Sequence, residues 1–259
     1  MSHFRPWPYP RVLAHRGSGK LAPENTLAAL RVGHEHGYRA AEFDAMLAAD
    51  DVPVLMHDDR IDRTTDGRGL TSDHTAAQLA RRDAGGWHSA PFRGEPVPTL
   101  QAALEWCSAH SVWTNIEIKP QTGRDWRTGD AVARVAAQHW RARLRPGSDT
   151  AARADPLLPL LSSFSECALA AARNAAPGLP RGLLVEQVDD DWHQRLAALG
   201  CVALHADHAR LTAAQARAIK DAGYWLFCYT VNDPARARTL FDWGVDAFCT
   251  DRIDLIAAD

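Results

Sequence analysis

The sequence predicts an α/β fold of the (β/α)8 barrel type. Short apolar runs alternate with alanine-rich helical stretches from end to end, and eight such runs are present. Within the runs polar and apolar residues do not alternate, which suits strands of a parallel sheet buried on both faces. A length of 259 residues fits one such barrel, whereas a doubly wound sheet usually has fewer strands.

Taken in order, RVLAH at 11–15 is the first strand, and the stretch 25–36 is the helix after it. The run 38–44 is the second strand, followed much later by a helix at 100–110 and a strand at 112–118. The remaining strands are 157–162, 182–186, 202–205, 225–230 and 247–250, separated by helices at 131–140, 166–175, 191–199, 213–222 and 234–243. Start and stop signals agree: Thr212 is a candidate N-cap, and Gly223 follows that helix as a C-cap. Asp233-Pro234 opens the last helix with proline in its first turn, and Gly244 closes it.

One gap breaks the rhythm. After Asp44 come a turn at Asp50-Asp51, an apolar run at 52–56 and His57. Residues 58–98 then carry little strand pattern, are rich in Gly, Asp, Arg and Thr, and are expected to hold a short helix near 75–82. A connection that long inside a compact domain is usually functional. The polar segment 120–129 is expected to form a mobile wall, and 145–155 a plain surface loop. With no internal repeat and no low-complexity tract, residues 1–259 read as one domain.

Composition narrows the functional classes. Lys plus Arg number 29 against 32 Asp plus Glu, so no global field favours nucleic acid or an anionic membrane. Five scattered cysteines without a CxxC pair read as free thiols of a reducing compartment. The N-terminal MSHFRPWPYPRVLAHRG lacks an apolar stretch of signal-peptide length, and no run approaches a membrane span. A cytoplasmic protein without membrane insertion is the expectation. Nine tryptophans at dispersed positions suit packing better than a base-stacking platform.

The chemistry concentrates at strand ends. Glu42-x-Asp44 and Glu117-x-Lys119 each set two charged side chains two positions apart, which in a strand places them on one face. A lone Glu-x-Asp is ordinarily a solvated acidic patch. Here it ends an apolar strand, and a third carboxylate ends the next. Three carboxylates suit one hard cation, Mg2+, Ca2+ or Mn2+, rather than Zn2+. His15 and His57 follow Val-Leu-Ala and Val-Leu-Met. Either alone would be a satisfied structural histidine, but as a pair they suit the two proton transfers of phosphodiester cleavage. Arg16 and Lys119 are candidates for binding phosphate oxygens, with salt-bridge roles as the alternative. His205 also stands at a predicted strand end. No Walker, GxGxxG, GxSxG, HExxH or CxxC pattern is present, so nucleotide binding, serine hydrolysis and the usual zinc sites have no support.

His15-Arg16-Gly17, Pro23-Glu24-Asn25-Thr26, Glu42-x-Asp44, His57-Asp58 and Glu117-Ile118-Lys119, in that order, resemble the glycerophosphodiester phosphodiesterase family. Ser162-Ser163-Phe164, Tyr229-Thr230-Val231-Asn232 and Thr250-Asp251 extend the resemblance over nearly the whole chain, closest to the short cytosolic bacterial enzymes. One departure is Tyr229, where relatives often carry Trp. The resemblance implies a TIM barrel with a small insertion after the second strand, corresponding to 58–98. It implies hydrolysis of a small-molecule glycerophosphodiester to sn-glycerol 3-phosphate and an alcohol. Carried over, Glu42, Asp44 and Glu117 would bind the cation, His15 and His57 would be acid and base, and Arg16 and Lys119 would bind phosphate. Glu24 and Asn25 would orient His15 or the metal shell, or cap the first helix. Phe164, Glu186 and His205, at later strand ends, would shape the glycerol or alcohol side or serve structural roles, and Tyr229 would belong to the pocket wall. Two alternatives remain open from the sequence: a phospholipase-like lyase forming a cyclic phosphate, and a non-catalytic metal- or phosphate-binding barrel. The leaving alcohol and the oligomeric state are not legible.

Overall fold

A computed structural model describes residues 6–144 and 155–259. The expected surface loop at 145–155 lies almost wholly outside the described residues. Among those described, nine strands form one sheet: β1 (Val12–Ala14), β2 (Ala40–Leu47), β3 (Pro53–Leu55), β4 (Trp113–Ile118), β5 (Leu160–Ser163), β6 (Arg181–Val185), β7 (Ala203–Asp207), β8 (Trp225–Tyr229) and β9 (Ala247–Thr250). Eight of them run parallel in chain order, and pairing of β1 with both β2 and β9 closes the barrel. The fold is therefore a (β/α)8 barrel, as predicted.

The ninth strand is the apolar run after Asp50-Asp51. β3 folds back antiparallel on β2, with Ala45 opposite Leu55 and Leu47 opposite Pro53. Asp51 takes the turn at φ 59. This hairpin, which the strand count from sequence omits, returns the chain to the level of Asp44, where the Met56 amide donates to the Asp44 carbonyl over 3.2 Å.

Helices α1 (Leu27–Glu35), α2 (Ala76–Leu79), α3 (Leu100–Ala109), α4 (Asp125–His139), α5 (Glu166–Ala175), α6 (Trp192–Leu199), α7 (Ala213–Asp221) and α8 (Pro234–Asp242) follow the expected rhythm. Thr212 accepts from the Gln215 amide and Asp233 from the Ala235 amide, so both predicted caps are present. α1 starts two residues later than expected, because Thr26 is its cap and Asn25 sits in the left-handed region at φ 58. The expected mobile wall at 120–129 is corrected too. α4 begins at Asp125, and Arg124 fastens the preceding turn to the Leu47 and Ala48 carbonyls and to Asp51.

Helices and strands bury two large apolar clusters on the outside of the barrel. A third, smaller cluster fills its inside, where Leu13, Leu160, Phe227 and Cys249 lie over an aromatic floor. Trp7 meets Trp113 and Trp225 edge to face, and Tyr9 stacks on Trp113 at 4.0 Å. This floor closes the N-terminal mouth, leaving the C-terminal rim as the accessible end. Among the described residues no helix is long and apolar enough to cross a membrane.

Candidate active site

The parallel register assembles the acidic cluster. β2 and β4 pair Glu42 with Asn115 and Asp44 with Glu117, so the three carboxylates rise from adjacent strands on the inner face. One oxygen from each lies within 4.8 Å of the others. Glu42 and Asp44 are 4% and 1% exposed, too dry for a hydrated acidic patch. Asn25 clamps Asp44 from both sides: its amide nitrogen donates to Oδ2 over 2.8 Å, and its oxygen accepts the Asp44 backbone N–H over 3.1 Å. Of the two roles expected for Asn25, the geometry fits orientation of the acidic cluster, and helix capping belongs to Thr26.

Burial, then the repulsion of Asp44, pushes the Glu42 and Glu117 carboxyls well above the ordinary carboxylate range. The nearby cations compensate only in part. Lys119 Nζ lies 3.3 Å from Glu117 and 3.8 Å from Asp44, and Arg16 Nε lies 3.5 Å from Asp44. Three oxygen-only donors, two buried and Glu117 partly so, in excess of their counter-charges fit a hard divalent cation.

His15 follows β1 in a tight turn in which Arg16 adopts φ 51 and ψ 30, a left-handed conformation that costs a non-glycine residue about 1 kcal/mol or more. The turn lets the Arg16 amide donate to Glu42 Oε2 over 3.1 Å and its Nη1 donate to Glu24 over 2.7 Å. His15 Nδ1 meets Asp251 Oδ1 at 2.6 Å, and its Nε2 lies 3.7 Å from Glu42. Asp251 is fixed in turn by Asn232, which donates to Oδ2 over 3.0 Å and accepts the Asp251 N–H over 2.8 Å. Against the effect of burial, the His15 bond draws the Asp251 carboxyl down to about 2. A carboxylate can only accept, so Nδ1 carries the proton and Nε2 is left for a ligand. Gly19, at φ 60, packs on this aspartate so closely that a Cβ would lie 2.3 Å from the Asp251 Cα.

His57 repeats the arrangement with a different partner. Its Nδ1 meets Asp58 Oδ1 at 2.7 Å, while Arg63 Nε donates to Asp58 Oδ2 over 2.6 Å. That bond, ahead of the one from His57, holds the Asp58 carboxyl at about 2. His57 feels Asp44, Arg16 and Lys119, and burial lowers its proton affinity, whereas that of His15 is raised by Asp251 and Glu42 despite burial.

The other predicted positions separate from the cluster. Glu24 is spent on Arg16 and on a two-pronged pair with Arg63. Phe164 and Tyr229 pair edge to face at 5.8 Å on the rim, and Phe164 is 43% exposed. Glu186 is exposed and faces Arg210 at 3.5 Å. His205 does not close its strand as expected. It is the third residue of β7, 0% exposed, stacked on Phe227 at 4.6 Å and seated against Gly182, where a Cβ would lie 2.5 Å from its Nε2. Without the charge compensation available at the rim, burial pushes its pKa down to about 3. Residue-by-residue reading assigns no role to Asp251, Asn232 or Arg63. Asp251 was accessible, since it is a carboxylate directly after a strand like the others. Arg63 had no sequence signal.

The sequence profile of the Glycerophosphoryl diester phosphodiesterase family matches residues 15–255. A glycerophosphodiester phosphodiesterase of Caldanaerobacter subterraneus subsp. tengcongensis is 30% identical over 244 residues, 93% of either chain. Among solved structures, an Oleispira antarctica phosphodiesterase in complex with the product sn-glycerol-3-phosphate is 38% identical, with a TM-score of 0.85 over 93% of each chain. A glycerophosphodiester phosphodiesterase from Agrobacterium tumefaciens is 26% identical, with a TM-score of 0.74 over 95% of this chain and 97% of that one. The chain belongs to the glycerophosphoryl diester phosphodiesterase family of enzymes.

Proposed function

We propose that the protein hydrolyses small-molecule glycerophosphodiesters to sn-glycerol 3-phosphate and an alcohol, with one divalent cation and two histidines at the C-terminal rim. The observation that carries this reading is the grouping of Glu42, Asp44 and Glu117 within 4.8 Å, beside two histidines that each rest on an aspartate. The product bound by the Oleispira relative supports the choice of substrate. Five unpaired cysteines, four of them buried, support a cytoplasmic setting.

Glu42, Asp44 and Glu117 would hold Mg2+, Ca2+ or Mn2+, which supplies polarisation of a phosphoryl oxygen and offsets its charge. Lys119 and Arg16, which flank the carboxylates, would bind phosphate oxygens. One imidazole Nε2 takes the proton of the attacking oxygen as the new O–P bond forms. The other returns a proton to the alcohol oxygen as the old P–O bond breaks. Asp251 and Asp58 hold a proton on Nδ1 of each ring, so that Nε2 is bare on the neutral base and carries the transferable proton on the imidazolium acid, without becoming protonated themselves.

The test is a coupled glycerol-3-phosphate assay on glycerophosphocholine, with phosphorus NMR of the product. Release of sn-glycerol 3-phosphate, abolished in His15→Ala and in His57→Ala, is expected. Wild-type turnover in both variants would refute the histidine roles, and an accumulating cyclic phosphate would refute hydrolysis.

A further inference from the structure

One guanidinium links two residues of the proposed site that no direct contact joins. Arg63 lies in the 58–98 segment, outside the eight βα units. Its Nε donates to Asp58 Oδ2 over 2.6 Å, and its Nη1 and Nη2 donate to the two oxygens of Glu24 over 2.7 and 2.8 Å. The other oxygen of Asp58 holds His57 Nδ1 at 2.7 Å. Glu24 Oε1 also accepts from Arg16 Nη1 over 2.7 Å. An unbroken chain of charge-assisted bonds therefore runs from His57 through Asp58, Arg63 and Glu24 to Arg16.

The turn carrying Arg63 is itself anchored. Ile61 is fully buried, and the Thr65 hydroxyl donates to its carbonyl over 2.7 Å. The neighbouring Thr64 hydroxyl reaches Met56 Sδ, directly before His57. The guanidinium is thus presented from a fixed base, although its side chain is 45% exposed. Ion pairs of a half-exposed arginine add little to global stability. Its planar fork makes a two-pronged pair with Glu24 and a third bond to Asp58 in fixed directions, a geometry the point charge of a lysine ammonium does not reproduce.

We propose that Arg63 is a positioning residue: through Asp58 it orients the His57 ring, and through Glu24 it orients the Arg16 guanidinium. This rests on the phosphodiesterase reading above. The groups that face His57 are Asp58, Asp44, Arg16 and Lys119. With Arg63 gone, Asp58 loses the bond that fixes its plane and swings free of the ring. Glu24 is left to Arg16 alone. Both effects disorder the site without removing any group from it.

The test uses Arg63→Ala and Arg63→Lys in the full chain. Nitrogen NMR of His57 is expected to report the Nδ1–H tautomer in the wild type and a tautomer mixture in both variants, with melting temperatures unchanged. With glycerophosphocholine, kcat is expected to fall about 10–100-fold, the range typical of lost outer orienting partners. KM should change less, and methylguanidinium should restore part of the kcat of Arg63→Ala but not that of Asp58→Asn. Should Arg63→Ala fail to fold, Arg63→Lys carries both readouts. A wild-type tautomer and wild-type kcat in a folded variant would overturn the proposal. The tautomer is read without turnover, so a protein that failed to cleave glycerophosphodiesters would refute the functional reading while the NMR result still decided the role of Arg63.

Discussion

Replacing Glu42 with Gln is expected to stabilise the metal-free protein while abolishing its stabilisation by a divalent cation. The Glu42 carboxylate lies within 4.8 Å of those of Asp44 and Glu117. Two unit charges at that separation repel by about 3.5 kcal/mol at an effective dielectric near 20. Partial protonation, implied by the raised Glu42 and Glu117 carboxyls, offsets part of this. Loss of the attraction to His15, 3.7 Å away, offsets more. A net gain of about 1–2 kcal/mol remains, or roughly 2–8 °C in melting temperature for a chain of this size. The sign of the pH dependence follows. Carboxyls with a raised folded-state pKa bind protons more tightly folded than unfolded, so the metal-free wild type loses stability as pH rises above the ordinary carboxylate range. Glu42→Gln flattens that loss. Thermal unfolding in EDTA across a pH series, and in millimolar MgCl2, MnCl2 or CaCl2, measures all three effects. A metal-free Glu42→Gln protein that melts below the wild type would show that the carboxylates do not strain the fold, and a wild type indifferent to every cation would show that they hold none.

Three further outcomes are expected. Asn25→Ala strips the buried Asp44 of two hydrogen bonds at a left-handed position and should destabilise the fold by about 2–4 kcal/mol in denaturant titrations; a loss below ~1 kcal/mol would contradict the clamp. Asp251→Asn removes the anion that holds His15 Nδ1 and should lower kcat at least about 100-fold while moving the His15 titration, followed by NMR, to lower pH; an unmoved titration would contradict it. His205 titrates near 3 folded against 6.5 unfolded, so its contribution is complete above pH 6.5 and is lost as pH falls from there toward 3. By pH 5 the loss amounts to about 2 kcal/mol, and a His205→Leu protein whose acid unfolding retained the full wild-type slope would show the histidine to be already solvated.

Strand positions were legible because both-face burial writes uninterrupted apolar runs, and β9 has the bounds read from sequence. Helix starts were less so. The first turn of α4, DWRTG, is polar apart from an exposed Trp126, and its anchoring by Arg124 is a tertiary bond with no local signal. The two-residue spacing in β2 put Glu42 and Asp44 on one face, but only the β2–β4 register sets Glu117 opposite Asp44. The approach of His57 to that level depends on the β2–β3 hairpin, which a count of parallel strands leaves out. His205 misled because a histidine near a strand end looks the same in sequence whether it reaches the rim or stops one layer below. Arg63 stayed invisible for a simple reason: an arginine in a polar segment is unremarkable until Glu24, thirty-nine residues away, closes on it.

In the proposed reaction a cation held by Glu42, Asp44 and Glu117 works together with His15 and His57 on a glycerophosphodiester. The most direct measurement is release of sn-glycerol 3-phosphate from glycerophosphocholine by the wild type, after EDTA, and after each of Mg2+, Mn2+ and Ca2+ is restored. Turnover that EDTA abolishes and at least one of these ions returns is expected, with Glu42→Gln inactive throughout. Full turnover in EDTA, or in Glu42→Gln, would contradict the proposed reaction.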